Sequence, residues 1–428
     1  MKRWLYCAVM FLMVGCIEPP NQFEMLPPGQ WRGVLKLSDR YAKGQPGLVE
    51  SDKKLLNFFE LPFNFEIEYE ADGEMVMYLI NGDERTRIEA LRYGRDPATA
   101  RDTIQVTFAE YDSYLDAFYE DNYIEGYWKV PYRGEDYQIP FEARYGDTIR
   151  FENPGLEDNY NFAGRWRVEF AFGTPDAYLA IREFDPEDTH LKGTFLTETG
   201  DFRYLEGIAY GEKMKLSVFD GAHAFLFSGN VTNDTILGEF RSGSHYKTQW
   251  RAYRDADFEL ANPYDLTQSM ASEPVDFGFE SLDGTIVRLT DDRFKNKIKL
   301  VNIMGSWCPN CRDEIEFLKT FAPEHPEIEI ISIAFEKYRD PEKAKSVLRR
   351  YRQAMGIEWP LLYGGYADKK ETGENFKFLD RIYAYPTLLV IDKNNRIAGV
   401  QTGFYGPATS EHEEFKQNFY NILEQIKQ

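Results

Sequence analysis

The sequence predicts a multidomain chain: an antiparallel all-β N-terminal region (tandem repeat, barrel or sandwich) followed by an α/β domain. Three observations carry this. Between Gly29 and Arg254, apolar and polar residues alternate with period two, punctuated by turn signals. Within that stretch the same succession of aromatic and glycine signals occurs twice. From about Pro274, strand-like apolar runs alternate with segments of helical spacing, and one such pair brackets Cys308-Pro309-Asn310-Cys311.

The first sixteen residues stand apart from any fold. Met1-Lys2-Arg3 is a basic start, and the apolar run from Trp4 to Val14 is too short for an ordinary membrane-spanning helix. This reads as a secretory signal. Met13-Val14-Gly15-Cys16, with Leu12 just upstream, resembles a bacterial lipobox. The resemblance implies that Cys7 leaves with the signal and that Cys16 carries lipid as the mature N-terminus. Ile17 stands where an aspartate is associated with inner-membrane retention, which points to the outer membrane. Residues 17–28, with Pro19-Pro20 and Pro27-Pro28, read as a tether.

The β region follows. Phe63 to Tyr69, Thr103 to Phe108 and Lys213 to Phe219 read as half-buried strands, with turns at Ala71-Asp72-Gly73, Asn81-Gly82-Asp83 and Arg133-Gly134-Glu135. Gly29-Gln30-Trp31-Arg32 is echoed by Gly164-Arg165-Trp166-Arg167. Ile124 to Lys129 is echoed by Ile236 to Arg241, and Tyr137 to Arg144 by Tyr246 to Tyr253. The repeats are bounded as 29–150 and 160–258; two tandem units and two halves of one barrel both fit. The acidic and aromatic residues from Glu110 to Asp116 and from Tyr119 to Tyr123 lack a calcium-loop pattern and read as a strand pair with a polar outer face.

Residues 270–428 form the α/β domain. Gly278 to Leu289 reads as a hairpin around Asp283-Gly284. Ile298 to Met304 is a buried strand leading to the cysteines, with a helix after them marked by Ile315, Leu318 and Phe321. Ile328 to Phe335 is a central strand. Pro341 to Met355 is a helix with Asp340 as N-cap. Gly364 to Gly373 reads as a flexible loop that borders the active site. Pro386 to Ile391 and Arg396 to Val400 form a hairpin, and Glu411 to Ile426 a closing helix.

The chemistry lies in Cys308 and Cys311. The first cysteine sits at a helix N-terminus, where unpaired N–H groups and the helix dipole favour the thiolate that attacks disulfides. The second is placed to close a disulfide and release the bound partner. A zinc site is excluded, because no second cysteine pair exists and the five histidines are scattered. A net charge of −21 without a basic stripe excludes nucleic-acid binding. Arg312 reads as a surface charge.

Here the chain resembles a known family. Trp307-Cys308-Pro309-Asn310-Cys311 after an apolar strand, Cys311-Arg312-Asp313-Glu314, and Tyr385-Pro386-Thr387 with the strand to Asp392 resemble the TlpA/ResA-like branch of exported thioredoxin-fold thiol–disulfide oxidoreductases. The resemblance covers the last third of the chain. It implies Cys308 as nucleophile, Cys311 as resolving thiol, Pro386 as a cis-proline facing them, and Trp307 packed beside them. Tyr385 and Thr387 are the implied substrate contacts, and Glu314 the implied acidic residue near the cysteines; by position alone Glu314 equally suits a solvated helix carboxylate. The implied activity is a protein-disulfide reductase, membrane-tethered in the periplasm or cell envelope. Its implied partners are protein disulfide clients such as apocytochrome c, and a transmembrane thiol electron donor. It needs no cofactor or metal. Pro309-Asn310 shares a leading proline with strongly oxidising relatives, which leaves the direction open. The alternative is a binding lipoprotein whose β region holds a ligand and whose redox domain is auxiliary. A peroxidase is disfavoured, since Gly305-Ser306-Trp307-Cys308 lacks the threonine of a Thr-x-x-Cys site.

Overall fold

Period-two alternation gives the N-terminal strands one apolar face, and two separate curled antiparallel sheets form around those faces. The computed structural model describes residues 26–39, 59–155, 160–184 and 190–427. The signal segment, Cys7, Cys16 and tether residues 17–25 lie outside the described residues.

Both sheets follow one plan. In the first, of nine strands among the described residues, the opening strand Gly29–Leu37 pairs with Phe59–Tyr69 on one side and with the last strand, Gln138–Tyr145, on the other. In the second, of ten, Gly164–Phe170 pairs with Tyr178–Phe184 and with the last strand, Tyr246–Arg254. The sequence echoes fall on equivalent places. Trp31 and Trp166 are fully buried, and each indole N–H donates to the carbonyl four residues upstream, Pro27 at 3.2 Å and Phe162 at 2.8 Å. Gly126 and Gly238 are equally matched: a Cβ on either would run into a carbonyl oxygen of the facing strand, Asp116 and Ser228. The two repeats form two separate hydrogen-bonded sheets among the described residues. The chain is already held at residues 26–28, whose carbonyls accept from Tyr69, Trp31 and Tyr145.

The units share one body because the second fills the core of the first. Phe219 lies 4.6 Å from the Phe63 ring and 5.2 Å from that of Trp128. Polar groups exposed by that insertion are satisfied across the seam: Ser217 Oγ donates to Pro62 O at 2.6 Å, and Asn81 Nδ2 to Phe219 O at 2.8 Å.

The C-terminal domain is a seven-stranded mixed sheet flanked by helices. Ile328–Glu336 is its middle strand, parallel to Ile298–Met304 and Leu361–Tyr366; Thr387–Ile391 runs antiparallel beside Ile298–Met304. Both inner strands are almost continuously buried because helices cover both faces of the sheet. The helices are α1 (Pro309–Phe321), α2 (Pro341–Met355), α3 (Lys369–Asn375) and α4 (Glu411–Lys427). Asp340 caps α2, accepting from the N–H groups of Glu342 and Lys343. The expected loop at Gly364–Gly373 is corrected. Gly364 and Gly365 lie within strand Leu361–Tyr366 at a register shift, where the Phe335 ring occupies the space a side chain on Gly364 would need. Asp368 then caps α3 through the N–H groups of Lys370 and Glu371.

Candidate active site

Strand Ile298–Met304 ends at Gly305, where a side chain would collide with the Trp307 indole and the Phe335 carbonyl. The chain then turns into α1. Cys308 is its N-cap, in extended backbone, and Pro309 occupies the first turn, where its missing N–H costs nothing. The Cys311 N–H donates to Cys308 Sγ at 3.3 Å, so one of the orphan donors of the helix start is spent on the sulfur. Cys308 is 7% exposed and Cys311 fully buried; both are free thiols.

The Tyr385–Pro386 peptide bond is cis. Cys308 Sγ donates to Tyr385 O at 3.7 Å, and the Tyr385 hydroxyl pairs with Thr372 Oγ1 on α3 at 2.6 Å. The segment from Gly364 to Gly373 thus does border the site, as a strand end and a helix. The Trp307 and Tyr385 rings meet edge to face at 5.6 Å. Thr387, expected to meet substrate, is instead fully buried: its hydroxyl donates to Ala384 O at 2.8 Å and its backbone sits between two strands.

Glu314 is not a solvated carboxylate. It is completely buried one turn beyond the cysteines, and Asn302 Nδ2 donates to its Oε2. Its other oxygen has no partner. Burial, then the neighbouring Cys308, holds its carboxyl well above the usual carboxylate range. An ionised carboxylate with a single hydrogen bond is unfavourable in such a place, whereas a protonated one is not. Burial likewise pushes the Cys311 thiol well up, with Cys308 adding to it and Glu314 contributing. The site therefore stores protons on Glu314 and Cys311, inward of Cys308.

The end of the central strand grips the loop before the nucleophile. Buried Glu336 accepts from the Ser306 N–H at 2.9 Å and from its hydroxyl at 2.8 Å. Phe335 O accepts from the Trp307 indole at 2.9 Å, and the Lys337 ammonium lies 3.8 Å above the Trp307 ring. Burial pushes the Glu336 carboxyl up to about 7 against the pull of those two bonds, and Asp112 of the first β unit adds to the shift.

Both β units reach this site. Arg312, expected at the surface, pairs with Glu110 of the first unit, and Asp313 pairs with Arg203 of the second. Arg203 is buried and also holds Glu84 at 2.6 Å and lies 3.8 Å from Asp220. Gly200 rests on the Asn310 side chain, in backbone that leaves no room for a side chain. On the other side Asp112 accepts from Tyr338 and, at 2.6 Å, from Arg350. The strands Ser113–Glu120 and Tyr123–Lys129 do pair, but Glu110 to Asp112 precede them as an interdomain turn.

Of the residues singled out from sequence, Cys308, Cys311, Trp307, Glu314, Tyr385 and Pro386 come together; Thr387 turns away. Arg203, Asp112, Glu336 and Lys337 were missed. Only Glu336 left a signal, a carboxylate closing the apolar run from Ile328 to Phe335.

A strand–dithiol–helix opposite a cis-proline defines a thioredoxin-like redox domain. A family model described as Redoxin matches residues 270–416. The thiol–disulfide oxidoreductase ResA of Geobacillus thermodenitrificans is 24% identical over 156 residues, which span 36% of this chain and 78% of that protein. The thiol:disulfide interchange protein CycY of Rhizobium leguminosarum is 31% identical over 106 residues, 24% of this chain and 56% of that one. Among solved structures, a thiol-disulfide oxidoreductase from Bacteroides fragilis aligns with a TM-score of 0.27 at 16% identity, covering 36% of this chain and 99% of its own. The C-terminal third of this chain is a redoxin domain of the TlpA/ResA-like kind, homologous to thiol–disulfide oxidoreductases.

Proposed function

We propose that the protein is an extracytoplasmic thiol–disulfide oxidoreductase, tethered to a membrane through lipidated Cys16, that reduces disulfides in exported proteins. The observation that carries this is the free dithiol at the start of α1, with Cys308 Sγ between the Cys311 N–H and the Tyr385 carbonyl. In the first step the Cys308 thiolate attacks one client sulfur; a Cys308–client disulfide forms, the client disulfide breaks, and the departing client thiolate takes a proton. In the second, Cys311 gives up its proton, and its thiolate attacks Cys308 Sγ. The Cys308–Cys311 disulfide forms and the second client thiolate leaves and is protonated. Two electrons and two protons pass to the client. The proton that Cys311 gives up passes to the client thiolate as it leaves, and Glu314, buried beside the pair, keeps its own proton through the step. A membrane thiol exchanger is the proposed source of the electrons that reopen the disulfide. Tyr385 offers its backbone to an extended client segment.

The test is the redox equilibrium of Cys308–Cys311 in the form lacking residues 1–16. A potential of about −270 mV or lower is expected of a reductase, while about −120 mV makes the protein an oxidant and reverses the direction. Absence of a reversible couple overturns the reading altogether. Cys308→Ser is expected to abolish client reduction. Cys311→Ser is expected to trap the mixed disulfide, identifiable by mass spectrometry.

A further inference from the structure

The chain carries a net charge of −21, and the cations at the domain junctions have carboxylate partners: Arg203 with Asp313 and Glu84, Arg312 with Glu110, Arg350 with Asp112. Two do not. Lys337 stacks on Trp307, the residue before the nucleophile, and has no ion pair among the described residues. Arg133 of the first β unit lies over the rings of Tyr132 and Tyr137, at 5.2 and 5.8 Å, and its Nε is buried with no hydrogen-bond acceptor.

The fold brings these two together from different domains. Tyr132 packs into the small cluster of Tyr338, Ala344 and Val347, and Asp112 accepts from Tyr338, the residue after Lys337. The neighbourhood is unfavourable to Lys337: burial, and next the charge on Arg133, pull its ammonium below the usual lysine range. Cys308, Glu336 and Asp368 act on Lys337 in the opposite sense, but none forms an ion pair with it, and two like charges held close favour an anion that pairs with both. Lys369 continues the same sign along the cis-proline loop, over the Tyr383 ring at 5.6 Å and again with no ion pair among the described residues. Trp307, Lys337, Arg133 and Tyr385 are all partly exposed, so this is the side from which Cys308 can be approached. The other side is closed by Gly200 on Asn310 and by Glu198, which accepts from Tyr383 at 2.8 Å.

We propose that Arg133 and Lys337 form a two-domain anion receptor beside the nucleophile, and that the preferred substrate is an extended protein segment carrying aspartate or glutamate next to its disulfide cysteine. The inference rests on the oxidoreductase reading above and specifies its substrate class. The client carboxylate supplies an ion-pair partner for both cations, and its pairing orients the neighbouring sulfur toward Cys308. Arg133 makes the first β unit part of the recognition surface rather than a spacer.

The experiment follows reduction of three disulfide-bonded peptides, identical except for Asp, Asn or Lys beside the cysteine, by the reduced full chain in low-salt buffer. The expected order is Asp, then Asn, then Lys, with Asp favoured over Asn by about tenfold, as for one charge-assisted contact. Salt should shrink the ratio. Arg133→Gln and Lys337→Gln should each cut the Asp-to-Asn ratio several-fold, and Arg133→Lys should retain more of it than Arg133→Gln. Equal rates for Asp and Asn in the unaltered protein, with the Asn peptide reduced, overturn the receptor while leaving the oxidoreductase reading intact. Failure to reduce the Asn peptide, or the neutral disulfide of 2-hydroxyethanethiol, overturns that reading itself.

Discussion

The two β units share a strand plan, a buried tryptophan bonded four residues back and a glycine pressed on the next strand, yet they hold the redox domain in different ways. The second unit uses a buried guanidinium: Arg203 binds Asp313 on α1 and draws in Glu84 of the first unit and its own Asp220. The first unit uses an acidic turn, Glu110 to Asp112, whose partners are part-buried Arg312, buried Tyr338 and exposed Arg350. Asp112 also adds to the upward shift of Glu336, which grips the loop before Cys308. One contact is a fixed charge in a dry place, and the other adjoins a group that titrates near neutrality. The shared strand plan forms the scaffold, and the turns that differ make the contacts.

The sharpest way to break the comparison is Arg203→Met. It strands three carboxylates in a buried cluster, and removal of one partner from such a cluster destabilises by about 3–5 kcal/mol. Arg312→Ala, which removes the part-exposed Glu110 pair and a 3.4 Å contact to Asp313, should cost less than Arg203→Met. Urea unfolding of both variants measures the difference, and equal losses would erase the distinction.

The titrating contact predicts a pH slope. Glu336 has a folded value of about 7 against an ordinary 4.5. The folded state keeps this proton where the unfolded chain has released it. Its contribution is therefore fully present below about pH 4.5 and is lost as pH rises toward 7, by up to about 3 kcal/mol. Glu336→Gln should flatten that part of the stability–pH curve; an unchanged slope would mean that Glu336 titrates normally.

The likeness of the units is tested by matched substitutions. Gly126→Ala and Gly238→Ala should each destabilise by about 1–3 kcal/mol, since the new methyl meets a facing carbonyl in both. Trp31→Phe and Trp166→Phe each remove one indole hydrogen bond worth about 1 kcal/mol and leave a small cavity besides. Calorimetry on each pair should give near-equal shifts, and a large mismatch would show that the repeats carry unequal load.

Much of this molecule is legible in the chain. Period-two alternation marked the β region, and the bounds of α2 follow from Asp340, Pro341 and the spacing up to Met355. Cys308 and Cys311 declared their chemistry because strand, turn and helix are local signals. The segment Gly364–Gly373 misled because its glycines suggest a loop; the Phe335 ring that demands Gly364 comes from a distant strand. Arg312 misled for the same reason, since its partner lies some two hundred residues upstream.

The amino-acid sequence by itself determined the order of an all-β region and an α/β domain, the repeated signals and the cysteine pair, because periodicity, turn chemistry and helix capping act over a few residues. Only the tertiary structure decided which groups surround that pair: Arg203 on Asp313, Asp112 near Glu336, Arg133 near Lys337, and Glu314 sealed from water. Burial and charge pairing depend on residues far apart in the chain, and nothing short of the packed fold brings them within interaction range.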